Sequence, residues 1–415
     1  MNAAHFLDTS PGAPAPHGHC TEDGTSGGEQ HAGMGRVAAP SAVAGVCCDF
    51  DMARGAHPYA AVSFGPDGAL YGTTWRGGSA DRGTVFRLGL DGAFRVLHDF
   101  DGAHGSNPYA APAFGPDGTL YGTTVNGGES DQGTVYRIDS AGRFGILHDF
   151  ERLHGANHYA PVKLGPDGAL YGAAWTGAHA GHGTVYRIHP DGGFGVLHHF
   201  DGTAGANPYG APAFAPDGTL YGTAWSGGGL GAGLVYRIDP GGRFRVVHTF
   251  DLKRGASPYA GLVAGPDGAF YGATVGGGRS NAGTIYRLLP DGRFGVLHHF
   301  DGKEGAQPFA AVAFGKGGLY GTTRGGGRAG AGTVYCIGPD GRFGILHEFD
   351  GAQGAYPYAG ITLGPDGAIY GTTANGGSSN IGTVYRIDPA NGYSVLHDFK
   401  RSPGIYPGLA AIFGL

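Results

Sequence analysis

The chain has 415 residues, 87 of them glycine, with 14% charged side chains and a formal net charge of −6. That balance offers no basic footprint for nucleic acid or an anionic membrane surface, and the apolar runs are too short to span a bilayer. The length exceeds what one average core fills, a limit that a repeat array or closed propeller evades because each unit packs on its neighbours.

Residues 1–42 are rich in Gly, Pro, Ala, Ser and His without a hydrophobic period, and read as a disordered tail. Their first twenty residues lack a basic segment followed by an apolar one, so no signal peptide is recognised. Four cysteines (Cys20, Cys47, Cys48 and Cys336) are too few and too irregular for a disulfide scaffold.

From residue 43 a single pattern takes over. Tyr71, Tyr121, Tyr171, Tyr221 and Tyr271 each open a Tyr-Gly step 50 residues after the last, and Tyr320 and Tyr370 continue the series after one deletion. A fixed period of this length marks stacked supersecondary units. In the first copy the expected strands are 59–64, 70–75, 83–88 and 94–100. A Gly-Pro-Asp-Gly turn links the first two and Asp91-Gly92 links the last two, with Pro and Gly where tight turns want them. No stretch has room for an ordinary helix.

Four short antiparallel strands repeated seven times predict an all-β fold, a seven-bladed β-propeller spanning residues 43–415. Eight blades or an open solenoid are the structural rivals. A spare strand is expected at each end, 46–50 and 409–413, with the former pairing on the third strand of the last blade to lock the ring. In the fourth strand, Phe94, Val96, His98 and Phe100 are expected on one face and Leu97 on the other.

Comparing the copies with each other separates scaffold from candidate site. The turns between strands one and two, and three and four, hardly vary; the other two loops vary most. Antiparallel geometry sets the quiet turns on one rim and the variable loops on the other, and loops carry function more often than scaffold does. On the variable rim Trp75, Trp175 and Trp225 occupy one position, held elsewhere by Val125, Val275, Arg324 and Ala374. Their polar neighbours include Arg76, Asp81, Arg82, Asn126, Arg279, Asn281 and Asn375. Tryptophan beside Arg and Asn suits a sugar ring or a protein partner, since the aromatic face stacks while polar tips orient. Equally, Trp could cover the blade edge while the polar residues are merely solvated.

Copy three departs most from the pattern, with His154, His158, His179 and His182 on its share of the rim, a conceivable divalent-metal site without an evident ligand spacing. The serial histidines (His98, His148, His198, His248, His298, His347 and His397) lie too far apart to converge and read as hydrogen-bonded structural residues. The first strands carry Ala, Val and Phe with Lys163 as their lone charge, and neither a carboxylate pair nor a Ser-His-Asp order stands above the repeat. The expectation is a protein that is not an enzyme and needs no cofactor.

The units Leu120-Tyr-Gly-Thr-Thr, Gly133-Thr-Val-Tyr-Arg-Ile, Leu147-His-Asp-Phe and Gly105-x-x-Pro-Tyr resemble the GloVer tandem repeat of bacterial proteins over residues 43–415. Kelch and NHL propellers are similar in period, although the fourth strand here lacks the tryptophan of kelch. The resemblance implies an extracellular or surface repeat protein with no assigned activity. The function expected is a monomeric binding scaffold for a protein or glycan, without nucleic acid or membrane insertion. A propeller lyase or hydrolase near the copy-three histidines and a purely structural surface repeat are the alternatives.

Overall fold

The computed structural model describes residues 54–189 and 191–399. They form seven four-stranded antiparallel sheets, each in simple sequential order, arranged as a seven-bladed β-propeller without helices. The tail 1–42 and the expected end strands 46–50 and 409–413 lie outside the described residues.

In blade 1 the strands are Ser63–Phe64, Leu70–Thr74, Thr84–Leu88 and Phe94–Asp99. The first turn closes through Gly65 N–H to Ala69 O and Gly68 N–H to Gly65 O, with Gly68 at φ 74° and Asp67 Oδ1 accepting from Ala69 N–H. Asp67 then ties the sheet laterally. Its other oxygen accepts from Tyr71 Oη at 3.1 Å and Arg87 Nε at 2.7 Å. The same Asp-Tyr-Arg set recurs at Asp167, Tyr171 and Arg187 and at Asp366, Tyr370 and Arg386. Blade 6 has lost both ends of it together: glycine fills the turn, and the wholly buried Cys336, which is disulfide-bonded, replaces the arginine.

The Tyr-Gly-Thr-Thr step has a separate reason for each residue. A Cβ on Gly122 would meet Tyr136 Oη at 2.2 Å, so only glycine lets the third-strand ring lie across the second strand. The first threonine reaches the next blade, as Thr73 Oγ1 donates to Ala110 O at 3.1 Å. The second pairs within its own blade, Thr74 Oγ1 with Thr84 Oγ1 at 2.9 Å. In blade 4 Ala224 faces Leu234, so that hydroxyl pair has been replaced as a unit by an apolar contact.

Two expectations are corrected here. The first strand is regular over only its last two residues, because the chain bends at residue 60; the segment just before it pairs separately, Ala56 with Arg76. The unpaired stretch satisfies its carbonyls across the blade interface instead, as Ser63 Oγ to Pro112 O at 2.7 Å shows. In the fourth strand a β-bulge at Leu97 shifts the register between His98, opposite Val85, and Val96, opposite Phe86. The extra residue breaks the two-residue alternation. Phe94 therefore packs with Phe86 towards blade 7, while Leu97 and Phe100 pack towards blade 2.

Each interface between neighbouring blades holds one apolar cluster, so the core is a ring of seven rather than a single centre. The ring closes in the same way: Val62, Leu70 and Phe86 pack with Ala368, Tyr370 and Phe399, and Thr372 Oγ1 donates to Ala60 O at 2.8 Å. Both edges of the strand Thr383–Asp388 are taken, by Ile369–Thr373 and by Gly392–Asp398. The locking strand expected there thus has no edge to join.

Candidate functional site: the aromatic mouth of the ring

The first strands run nearest the axis, and the step that opens each one, Pro-Tyr in five blades, His158-Tyr159 in blade 3 and Pro308-Phe309 in blade 6, sets an aromatic residue at the variable-rim end of the channel. Tyr59, Tyr109, Tyr159, Tyr209, Tyr259, Phe309 and Tyr358 form a closed circuit. Successive ring centroids are 5.3, 5.3, 5.0, 3.5, 4.8, 5.4 and 5.7 Å apart, the last returning from Tyr358 to Tyr59. Tyr109 also reaches across the circuit, its ring centroid 6.2 Å from that of Tyr209. Burial pushes the Tyr109, Tyr209 and Tyr259 hydroxyls up from their ordinary range. They stay protonated at neutral pH and offer a plug of hydroxyls rather than a base.

The three tryptophans stand against this circuit. Trp75 meets Tyr109 edge to face at 5.8 Å, Trp175 meets Tyr209 at 5.3 Å and Trp225 meets Tyr259 at 5.5 Å. Trp175 and Trp225 also touch, at 6.0 Å. All three are partly exposed, whereas Val125, Val275 and Ala374 at the same position are buried. Asparagines fix the tryptophans from behind: Asn107 Nδ2 donates to Trp75 O and Asn207 Nδ2 to Trp175 O, each at 3.0 Å.

Arg324 completes the position in blade 6. Its Nε donates to Tyr358 Oη at 2.6 Å and its Nη1 to Gln307 Oε1 at 3.0 Å, and the guanidinium lies 5.2 Å over the Tyr358 ring. Four rather different contacts, counting the Tyr356 ring at 5.3 Å, hold it in one orientation.

The remaining expected rim residues fall into two groups. Asp81 and Asn281 sit at φ 53° and 55° and accept from Gly77 N–H and Gly277 N–H at 2.8 Å each. Asp and Asn tolerate the left-handed region and cap their own loop, which accounts for these residue types; Gly181 and Gly231 hold the same place in blades 3 and 4. Asn126 Nδ2 donates to Asn107 Oδ1 at 3.2 Å, and Asn375 pairs through its backbone with Ala355. Arg76 is exposed with Asp81 3.4 Å away, and Arg82 and Arg279 are exposed. Beside Trp175 a cavity of about 410 Å³ opens between blades 2 and 3, lined by Gln132, Arg152, Asn157 and Thr176 among others.

The copy-three histidines are not brought together. His158 is wholly buried, stacked on Phe150 at 3.6 Å, and burial holds it down to about 3. His154 lies 4.9 Å from the Phe194 ring, whereas His179 pairs with His199 at 5.7 Å, and His182 lies against Gly202. Among the described residues no three His, Cys, Asp or Glu side chains are gathered as a metal-binding group.

Four of the serial histidines stack on the neighbouring blade. His98, His148, His198 and His248 lie flat on Phe144, Phe194, Phe244 and Phe294 of the next blade, at 3.6 to 4.0 Å. Their Nε2 atoms are buried with no hydrogen-bond partner among the described residues.

The aromatic circuit itself was missed in the sequence. Its signal was the aromatic residue of the Pro-Tyr step, Tyr in six blades and Phe309 in the other, on the one strand of each blade whose copies converge.

The model of the Gloeobacter/Verrucomicrobia repeat matches residues 25–234 and 209–413. The chain belongs to this family. No curated protein matches the chain. Among solved structures, this Gloeobacter/Verrucomicrobia repeat protein is similar to the extracellular domain of a protein assigned to a one-component system of B. thetaiotaomicron, with TM-score 0.56 and 13% identity over 79% of this chain. It spans only 38% of that longer domain. It is also similar to the periplasmic gluconolactonase of Pseudomonas aeruginosa, with TM-score 0.53 and 22% identity over 78% of this chain and 92% of that one. A Bacteroides uniformis protein assigned as a 6-phosphogluconolactonase gives 0.53 and 18%, over 77% and 92%. At these identities the likeness is one of fold. Among the described residues no helix is long and apolar enough to cross a membrane.

Proposed function

We propose that this protein is a non-catalytic binding propeller that takes carbohydrate at the mouth of its ring. The observation that carries the reading is the placement of Trp75, Trp175 and Trp225, partly exposed and braced edge-on against a closed aromatic circuit. Rigid aromatic rings with little freedom left to lose suit the apolar faces of sugar rings, and the flanking hydroxyls and amides suit their edges. A protein partner would use the same anchors, and is an outcome of the test. Export is part of the proposal, and the extracellular and periplasmic neighbours support it. The lactonases among those neighbours share the fold, and fold alone carries no chemistry.

A glycan array and a pull-down with the full chain test this, each repeated with Trp75, Trp175 and Trp225 changed together to Ala. Glycan binding that is lost in the triple variant is expected. Binding undiminished by the change would remove the mouth as the site, and a captured protein with no glycan bound would replace the ligand class. Absence of any partner would favour a purely structural repeat.

A further inference from the structure

We infer that the ligand of the mouth carries a carboxylate, and that Arg324 is the residue that recognises it; the inference rests on the carbohydrate reading above. The chain has a formal charge of −6, yet its charge is reversed where the loops approach the axis. Four positions in each copy border the mouth, those of Trp75, Arg76, His57 and Tyr59 in blade 1. Across all seven blades they hold no Asp or Glu, and they carry Arg76 and Arg324.

Arg324 differs from the other arginines near this rim. Arg76 and Arg328 each have a carboxylate within reach, Asp81 at 3.4 Å and Glu348 at 3.1 Å. Arg324 pairs with no carboxylate among the described residues; a hydroxyl, an amide and two aromatic rings hold it. It is half-buried, so its charge is less screened than an exposed one. A guanidinium oriented in advance by neutral partners is suited to a planar carboxylate, because the entropy of fixing the fork has already been spent. The Tyr358 ring beneath it joins Tyr59 at 5.7 Å, which joins Trp75 at 6.2 Å. Cation and stacking platform are therefore contiguous, the arrangement that a uronic acid needs: one ring face to stack and one carboxylate at its edge.

Position 324 also tolerates change, since Trp, Val and Ala occupy it in other blades. A variant there keeps the fold. The experiment titrates the full chain with galacturonate, glucuronate and mannuronate oligosaccharides, each beside its carboxyl-reduced neutral counterpart. At least one acidic oligosaccharide is expected to bind about tenfold or more tightly than its neutral twin, the scale of a hydrogen bond to a charged group. Arg324→Ala should erase that ratio, and Arg324→Lys should recover only part of it. Neutral oligosaccharides bound as tightly as acidic ones, or a preference that survives Arg324→Ala, would overturn the inference and leave the carbohydrate reading standing. If neither member of any pair binds, both fall.

Discussion

His98 lies flat on Phe144 of the neighbouring blade, ring centroids 3.6 Å apart and planes 4° from parallel. The contact recurs around the ring and joins the outermost strand of one blade to the outermost strand of the next. At the seam His397 faces Phe94 at the longer distance of 6.2 Å. An imidazole in this position is part of an apolar interface, and its proton affinity is set there.

Acid should therefore loosen the ring above the range where carboxylates titrate. Burial holds His98, His148, His198, His248, His298 and His347 at about 4, below the ordinary 6.5. Between those values the unfolded chain binds protons that the native state refuses, so stability is full above pH 6.5 and falls as pH drops towards 4. Urea midpoints at pH 7.5, 5.5 and 4.5 should decline steadily, with several protons taken up on unfolding. A midpoint unchanged between pH 7.5 and 5.5 would contradict this. Phe144→Ala should raise the His98 value towards 6.5 by NMR titration.

The seam should behave as one more interface. Thr372 Oγ1 donates to Ala60 O at 2.8 Å across it, and Thr223 Oγ1 donates to Ala260 O at 3.0 Å between blades 4 and 5. Thr372→Val and Thr223→Val keep the side-chain shape and strand a buried carbonyl. Each should cost about 1–3 kcal/mol in urea unfolding. A much smaller loss at Thr372 would mean that the ring opens there before the blades melt.

Tyr286 is wholly buried, and its hydroxyl has no hydrogen-bond partner among the described residues. Phe86 holds the same place in blade 1. Tyr286→Phe should thus be neutral or stabilise slightly, against the usual loss on editing a core tyrosine. Differential scanning calorimetry reads the result, and a fall of several degrees would reveal a partner for that hydroxyl.

Cys336 should resist alkylation in denaturant until the protein is reduced, because it is disulfide-bonded. Peptide mapping of protein recovered from its native compartment checks this. A disulfide that persists there marks an oxidising environment and would support export.

The blade was legible because its turns are chemically explicit: Gly-Pro-Asp-Gly admits few conformations, and the 50-residue period multiplied that signal sevenfold. The variable rim was legible for the complementary reason, since seven copies in one chain expose what is free to change. The bulge at Leu97 was not, because one inserted residue in an apolar run leaves the composition unaltered while turning the side chains beyond it. Nor were the loop roles of Asp81 and Asn281, which depend on a positive φ that polar spacing does not reveal. The aromatic circuit escaped because convergence is a property of the closed ring; each Tyr alone resembles an ordinary strand residue.

Among the described residues each of the seven sheets is drawn from one stretch of chain, with no strand borrowed from a distant segment. A gene for such a ring can gain or lose a period in frame and gain or lose a whole sheet, never a fragment of one. Paralogues carrying fewer or more periods would then be rings of different girth, with mouths of different width lined by the same aromatic step, and copy number would become a way of changing the size of what is bound.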